Sequence, residues 1–157
     1  MVPDESDMLS INKEKLLANI DVAMGGHIAE KLFLGDLEVT TGCSSDLKGA
    51  TDMAYEAVRK YGMFGDEVGF QAVCKKNSSE ERNQLIDLKV KQILDESHER
   101  VLKLLTQKDK EIRELSKNLF WHDYLDKDEI DQIMKGKQLK KERVRDWDKK
   151  ETSPIRF

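Results

Sequence analysis

Cysteine is scarce in this chain, with Cys43 and Cys74 the two copies in 157 residues. They stand in no C-x-x-C spacing, which argues against a disulfide scaffold and a cysteine-built zinc site and suits a reducing compartment. Long apolar runs are missing too, so no stretch reads as a membrane span. The acidic opening "MVPDESD" does not read as a secretory or organellar presequence. Any membrane anchor is therefore expected outside these residues. Net positive charge is absent: the formal charge is -4, which gives no reason to expect nucleic acid as a partner. The three histidines, His27, His98 and His122, are far apart, and none falls in H-E-x-x-H or H-x-x-E-H. No phosphate loop and no G-x-S-x-G elbow occurs. No internal repeat or low-complexity tract stands out.

What remains is charge and helical periodicity. Charged residues make up 37% and hydrophobic ones 38%, a balance suited to a helix-rich domain with solvated faces. A chain of this length supports one domain more readily than two. Ser10 can cap a first helix over about 11–34, with Leu16, Leu17, Ile20, Met24, Ile28 and Leu32 on one face. Gly25 and Gly26 interrupt its middle at a cost of roughly 1 kcal/mol each relative to alanine. Close approach by a neighbouring helix is the expected reason. A glycine-punctuated loop with a brief extended piece at Val39–Thr41 follows.

A second helix is expected over about 45–61, burying Leu47, Ala50, Met53, Ala54, Ala57, Val58 and Tyr61. Residues 68–73 read as a short strand. Ser78 and Glu81 fit a capping box that opens a long helix to about Leu105, with Ile86, Val90, Ile93, Leu94, Val101, Leu102 and Leu105 inward. His98 falls on its solvated side. A shorter helix follows with Ile112, Leu115, Leu119 and Phe120, and His122 is expected to pack or cap the turn after it. In "LDKDEIDQIMKG", Asp126 and Glu129 form a capping box, Ile130, Ile133 and Met134 face inward, and Gly136 stops the helix. The fold class is mainly α, with at most one or two very short strands. Residues 140–157 are dense in charge and poor in apolar spacing, so a disordered, solubilising tail is expected.

One acid stands out. Asp46, in "TTGCSSDLKGAT", sits where a loop gives way to a helix. It or Ser45 can cap the helix by accepting a bond from an orphan N–H. Asp46 can also offer a hard oxygen to a metal from a rigid element. One carboxylate does not make a metal site, and spacing alone favours the cap.

The order of segments "LLANIDVAMGGHIAEKLFLG", "VTTGCSSDLKGATDMAYEAVRKYGM" and "LDKDEIDQIMKGKQL" closely resembles the peptidase domain of FtsH-type, ATP-dependent zinc metalloproteases. The wording "DVAMGG" is most like the mitochondrial i-AAA branch. The resemblance covers about residues 2–139 and implies a helical C-terminal part of that peptidase domain. It makes Asp46 the third zinc ligand, joining two histidines of an upstream H-E-x-x-H helix whose glutamate is the general base. That helix has no counterpart here, so no catalytic residue is assigned within the chain. The glycine-pair helix is implied to pack near the metal-site helix. His27 departs from a position commonly arginine, and Lys31 from an acid, while Glu30 is kept as a metal-side partner or a surface residue.

The implied whole is a homo-hexameric, membrane-anchored protease of unfolded polypeptides, with Zn2+ in the peptidase and ATP and Mg2+ in a separate ATPase module. The mitochondrial inner membrane is the implied location, with a plastid or bacterial membrane as the alternative. The chain alone is expected to be inactive and to bind no zinc. A non-catalytic module docking on intact protease subunits is the competing reading.

Overall fold

The computed structural model describes residues 11–35, 37, 40–70, 72 and 78–144. Six α-helices account for most of them: α1 Lys13–Leu34, α2 Ser44–Arg59, α3 Gly65–Val68, α4 Glu80–Gln107, α5 Asp109–His122 and α6 Lys127–Met134. A 3-10 turn, Thr41–Cys43, runs directly into α2. No strand occurs among the described residues, so the mainly-α expectation holds. None of the helices is long and apolar enough to cross a membrane. The chain divides into two units, Met1–Leu102 and Lys103–Phe157.

In the first unit the 3-to-4-residue spacing of α1 does what amphipathic spacing dictates. Leu16, Ile20, Met24 and Ile28 are buried, whereas Leu32 is partly exposed. α2 packs on α1 and buries Ala50, Ala54, Ala57 and Val58, while α4 buries Ile86, Val90, Ile93 and Val101. The alanines matter because a face without long side chains lets two helices approach closely. Leu47 and Tyr61, expected in this stripe, lie at its ends and are exposed.

Polar groups tie α1 to α4. Ser97 is fully buried, and its hydroxyl donates to Asp21 Oδ1 at 2.5 Å. Arg100 closes a fork on the same carboxylate, Nε to Oδ2 at 3.0 Å and Nη2 to Oδ1 at 2.8 Å. A bidentate, charge-assisted pair of this kind fixes register as well as adding stability. Tyr55 of α2 likewise donates to Asp87 of α4 at 2.8 Å.

Helix starts differ from expectation in two places. Asn12 caps α1 by accepting from the Lys15 N–H, and Ser10 lies outside the described residues. Ser79 rather than Ser78 takes the capping bond of α4, from the Arg82 N–H at 3.3 Å, because the helix starts at Glu80. Of the suggested strand 68–73, Val68 ends α3 instead, and Gln71 and Val73 lie outside the described residues.

In the second unit Asp126 and Glu129 form the expected capping box of α6. Ile133 is buried, and Gly136 follows the helix with φ of 75°, where glycine carries no Cβ penalty. His122 is buried at the end of α5, and its Nδ1 lies 3.1 Å from the Glu142 carbonyl, so Nδ1–H is the donor. Lys141 Nζ donates to the Tyr124 carbonyl and pairs with Glu129. The first residues of the expected tail are therefore tied to this unit, and 145–157 lie outside the described residues.

Removing the shared acceptor by Asp21→Ala leaves the buried Ser97 hydroxyl unpartnered. Urea unfolding is expected to show a loss of about 1–3 kcal/mol, while Asp95→Ala, on the exposed side of α4, changes stability far less.

Candidate functional site

The loop between α1 and α2 is short, and its anchoring residue is Thr40. Its backbone is extended, at φ -93° and ψ 163°, and its hydroxyl accepts from the Gly42 N–H to start the 3-10 turn. Thr40 also reaches back to α1. Its N–H donates to Glu30 Oε2 at 2.9 Å, and its hydroxyl lies 3.1 and 3.2 Å from the two Glu30 oxygens. The Thr40 N–H holds the Glu30 carboxyl below the usual carboxylate range, against an opposing contribution from desolvation.

A second tie runs alongside. Cys43 is buried, its thiol donates to the Thr40 carbonyl at 3.2 Å, and its sulfur lies 3.3 Å from His27 Nδ1. Burial, and then the nearby Glu30 charge, push the thiol's pKa up. Buried, with its S–H on the Thr40 carbonyl, the thiol packs the turn before α2. His27 of α1 thus meets the residue before α2.

Asp46 is the third residue of α2. The N-cap position belongs to Cys43, whose side chain makes no capping bond, so neither Asp46 nor Ser45 caps this helix. The reason is the 3-10 turn: it feeds straight into α2, and the Ser44 N–H is already satisfied by the Thr41 carbonyl. Asp46 keeps the favourable position of an acid in the first turn. It is exposed, and its carboxylate accepts no hydrogen bond from the described residues.

Where that carboxylate lies explains half of the glycine pair. A Cβ added to Gly26 would stand 2.9 Å from Asp46 Oδ2, whereas one added to Gly25 would meet nothing within 4 Å. The close approach expected at both positions therefore occurs at Gly26 alone. The approaching group is a carboxylate of α2 rather than a helix backbone.

The family model for Peptidase family M41 matches residues 1–133 of this sequence. The chain belongs to peptidase family M41. Among its relatives, the mitochondrial inner membrane i-AAA protease supercomplex subunit YME1 of Saccharomyces cerevisiae is 39% identical over 139 residues, covering 87% of this chain and 18% of that protein. The ATP-dependent zinc metalloprotease YME1 homolog of Caenorhabditis elegans is 33% identical over 151 residues, 90% of this chain and 21% of that protein. The ATP-dependent zinc metalloprotease FtsH of Caulobacter vibrioides is 31% identical over 151 residues, 88% of this chain and 24% of that protein. The M41 chain thus spans about a fifth of the length of these relatives. The kinship read from the glycine-pair and T-T-G-x-x-S-D motifs is borne out.

The donor chemistry fits zinc in one respect. An exposed carboxylate on a helix, with no hydrogen-bond partner among the described residues, is a suitable oxygen ligand. No group of three histidine, cysteine or acidic residues that could hold a metal occurs among the described residues. His27 is engaged with Cys43. The Glu30–Thr40 tie escaped the sequence reading because a hydrogen bond across a loop leaves no periodic trace.

The two glycines are expected to respond differently to alanine. Gly25→Ala should raise unfolding free energy by about 0.5–1 kcal/mol through helix propensity. Gly26→Ala should lose most of that gain by displacing the Asp46 carboxylate. Paired urea titrations on the two variants read the difference directly.

Proposed function

We propose that this chain is the C-terminal part of the peptidase domain of an ATP-dependent zinc metalloendopeptidase, and that Asp46 is its contribution to the zinc site. The observation that carries the reading is the state of Asp46: exposed, spared from capping, without a hydrogen bond from the described residues, and seated where Gly26 leaves room for it. A carboxylate that capped the helix would be spent on a backbone N–H. Membership of the family supplies the chemistry around it, since the relatives are named as zinc metalloproteases.

Zinc held there with donors from elsewhere in the protein would polarise a scissile carbonyl and acidify a bound water. This chain's own share is to present one oxygen and keep it in place. The substrates are unfolded polypeptides delivered by an ATP-driven ring of six subunits. The membrane served is the mitochondrial inner membrane, as in the name of the yeast relative. The 157 residues alone supply one ligand, too few to hold zinc tightly, and no H-E-x-x-H, so they neither retain the metal nor cleave peptides.

The test is Asp46→Ala in the intact protein that carries this segment. Zinc content is expected to fall well below one per subunit and protein degradation to be lost, with the helical circular dichroism unchanged. Full zinc content with undiminished degradation would contradict the assignment.

A further inference from the structure

Thr40 spends every polar group it has. The N–H and hydroxyl face Glu30, the hydroxyl oxygen accepts from the Gly42 N–H at 3.2 Å, and the carbonyl accepts from the Cys43 thiol at 3.2 Å. One side of this residue is therefore fastened to α1, and the other builds the turn that leads into α2. Three residues beyond Cys43 comes Asp46.

Glu30 behaves unlike a surface acid. Both of its oxygens are turned on one residue, across ten positions of sequence. It also sits one helical turn beyond Gly26, the residue over which the Asp46 carboxylate lies. The two ends of this arrangement thus share the same stretch of α1. A carboxylate that accepts a charge-assisted bond from a backbone N–H is a strong anchor for a loop.

We propose that Glu30 is a positioning residue: acting through Thr40, it holds the loop that carries Asp46, so that one carboxylate on α1 sets the place of another on α2. This rests on Asp46 being the zinc ligand, but the geometry it asserts is present without metal. Glu30 itself touches no metal and moves no proton. Its contribution is to remove the freedom of the turn before α2, so that Asp46 need not be ordered when zinc binds. Groups that orient ligands in this way typically change metal affinity roughly 10–100-fold when removed.

The experiment is a double-mutant cycle in the intact zinc protease carrying this segment, with Glu30→Ala, Thr40→Val and the pair. Zinc affinity is read by chelator competition, and loop order by hydrogen exchange of the 40–46 peptide in the metal-free form. Each single variant is expected to weaken zinc by roughly 10–100-fold and to speed exchange of 40–46. The pair should lose less than the sum of the two single changes, because both remove the bonds between the Thr40 hydroxyl and Glu30, while Thr40→Val leaves the backbone N–H bond to Glu30 in place. Thr40→Ser, which keeps the N–H and the hydroxyl, should restore affinity to within about twofold of the unaltered protein.

Glu129→Ala controls for lost stability: it removes a comparable carboxylate clamp in the second unit and should leave zinc affinity unchanged. Additive losses in the pair, or unchanged exchange of 40–46 in Glu30→Ala, overturn the proposal. If Glu30→Ala fails to fold, Thr40→Val and Thr40→Ser decide it by the same readings. Should Asp46→Ala keep its zinc while Glu30→Ala and Thr40→Val still free the loop together, the ligand assignment fails and the relay stands.

Discussion

The approach of α2 to α1 at Gly26 is the constraint on which the rest of the site depends. Helix packing driven by Ile20, Met24 and Ile28 against Ala50, Ala54 and Ala57 brings the start of α2 over a helix position that has no side chain. Asp46 fills that gap with its carboxylate. The apolar contact is non-directional and would tolerate sliding. The polar ties from Glu30 to Thr40 and from His27 to Cys43 supply the direction that burial cannot.

This division of labour has an energetic logic. An exposed acid in the first turn of a helix contributes only about 0.3–1 kcal/mol through the helix dipole, too little to fix its rotamer or the loop before it. The order has to come from neighbours that are themselves fixed. Glu30 sits inside a 22-residue helix whose own register is set by Asp21, Ser97 and Arg100. A chain of fixed partners therefore runs from α4 through α1 to the turn and on to Asp46. It stays within the first unit, and every link is either apolar packing or a hydrogen bond between named groups.

Much of the fold was legible in the sequence, for physical reasons that can be named. Leu16, Ile20, Met24 and Ile28 repeat at helical spacing because one face of α1 must leave water. Asp126 and Glu129 announce α6 because a capping box is a local device, complete within four residues. What the sequence concealed was long-range and polar. Ser97, in "DESHER", carries no apolar signal, and the Asp21 carboxylate that explains its burial stands 76 positions away. The start of α2 was misread for a related reason: a 3-10 turn anchored by Thr40 removed the need for Ser45 or Asp46 to cap. The apolar stripes of α2 and α4 were read too wide, since Leu47, Tyr61 and Leu102 are exposed at their margins. Asp46 could be singled out from its motif, but its freedom from any capping bond needed coordinates.

The most direct measurement is anomalous diffraction at the zinc edge on crystals of the intact protease. A zinc peak about 2.0–2.2 Å from an Asp46 carboxylate oxygen is expected, with the Glu30 carboxylate still on Thr40. A fully occupied zinc whose ligands do not include Asp46 would contradict the central claim.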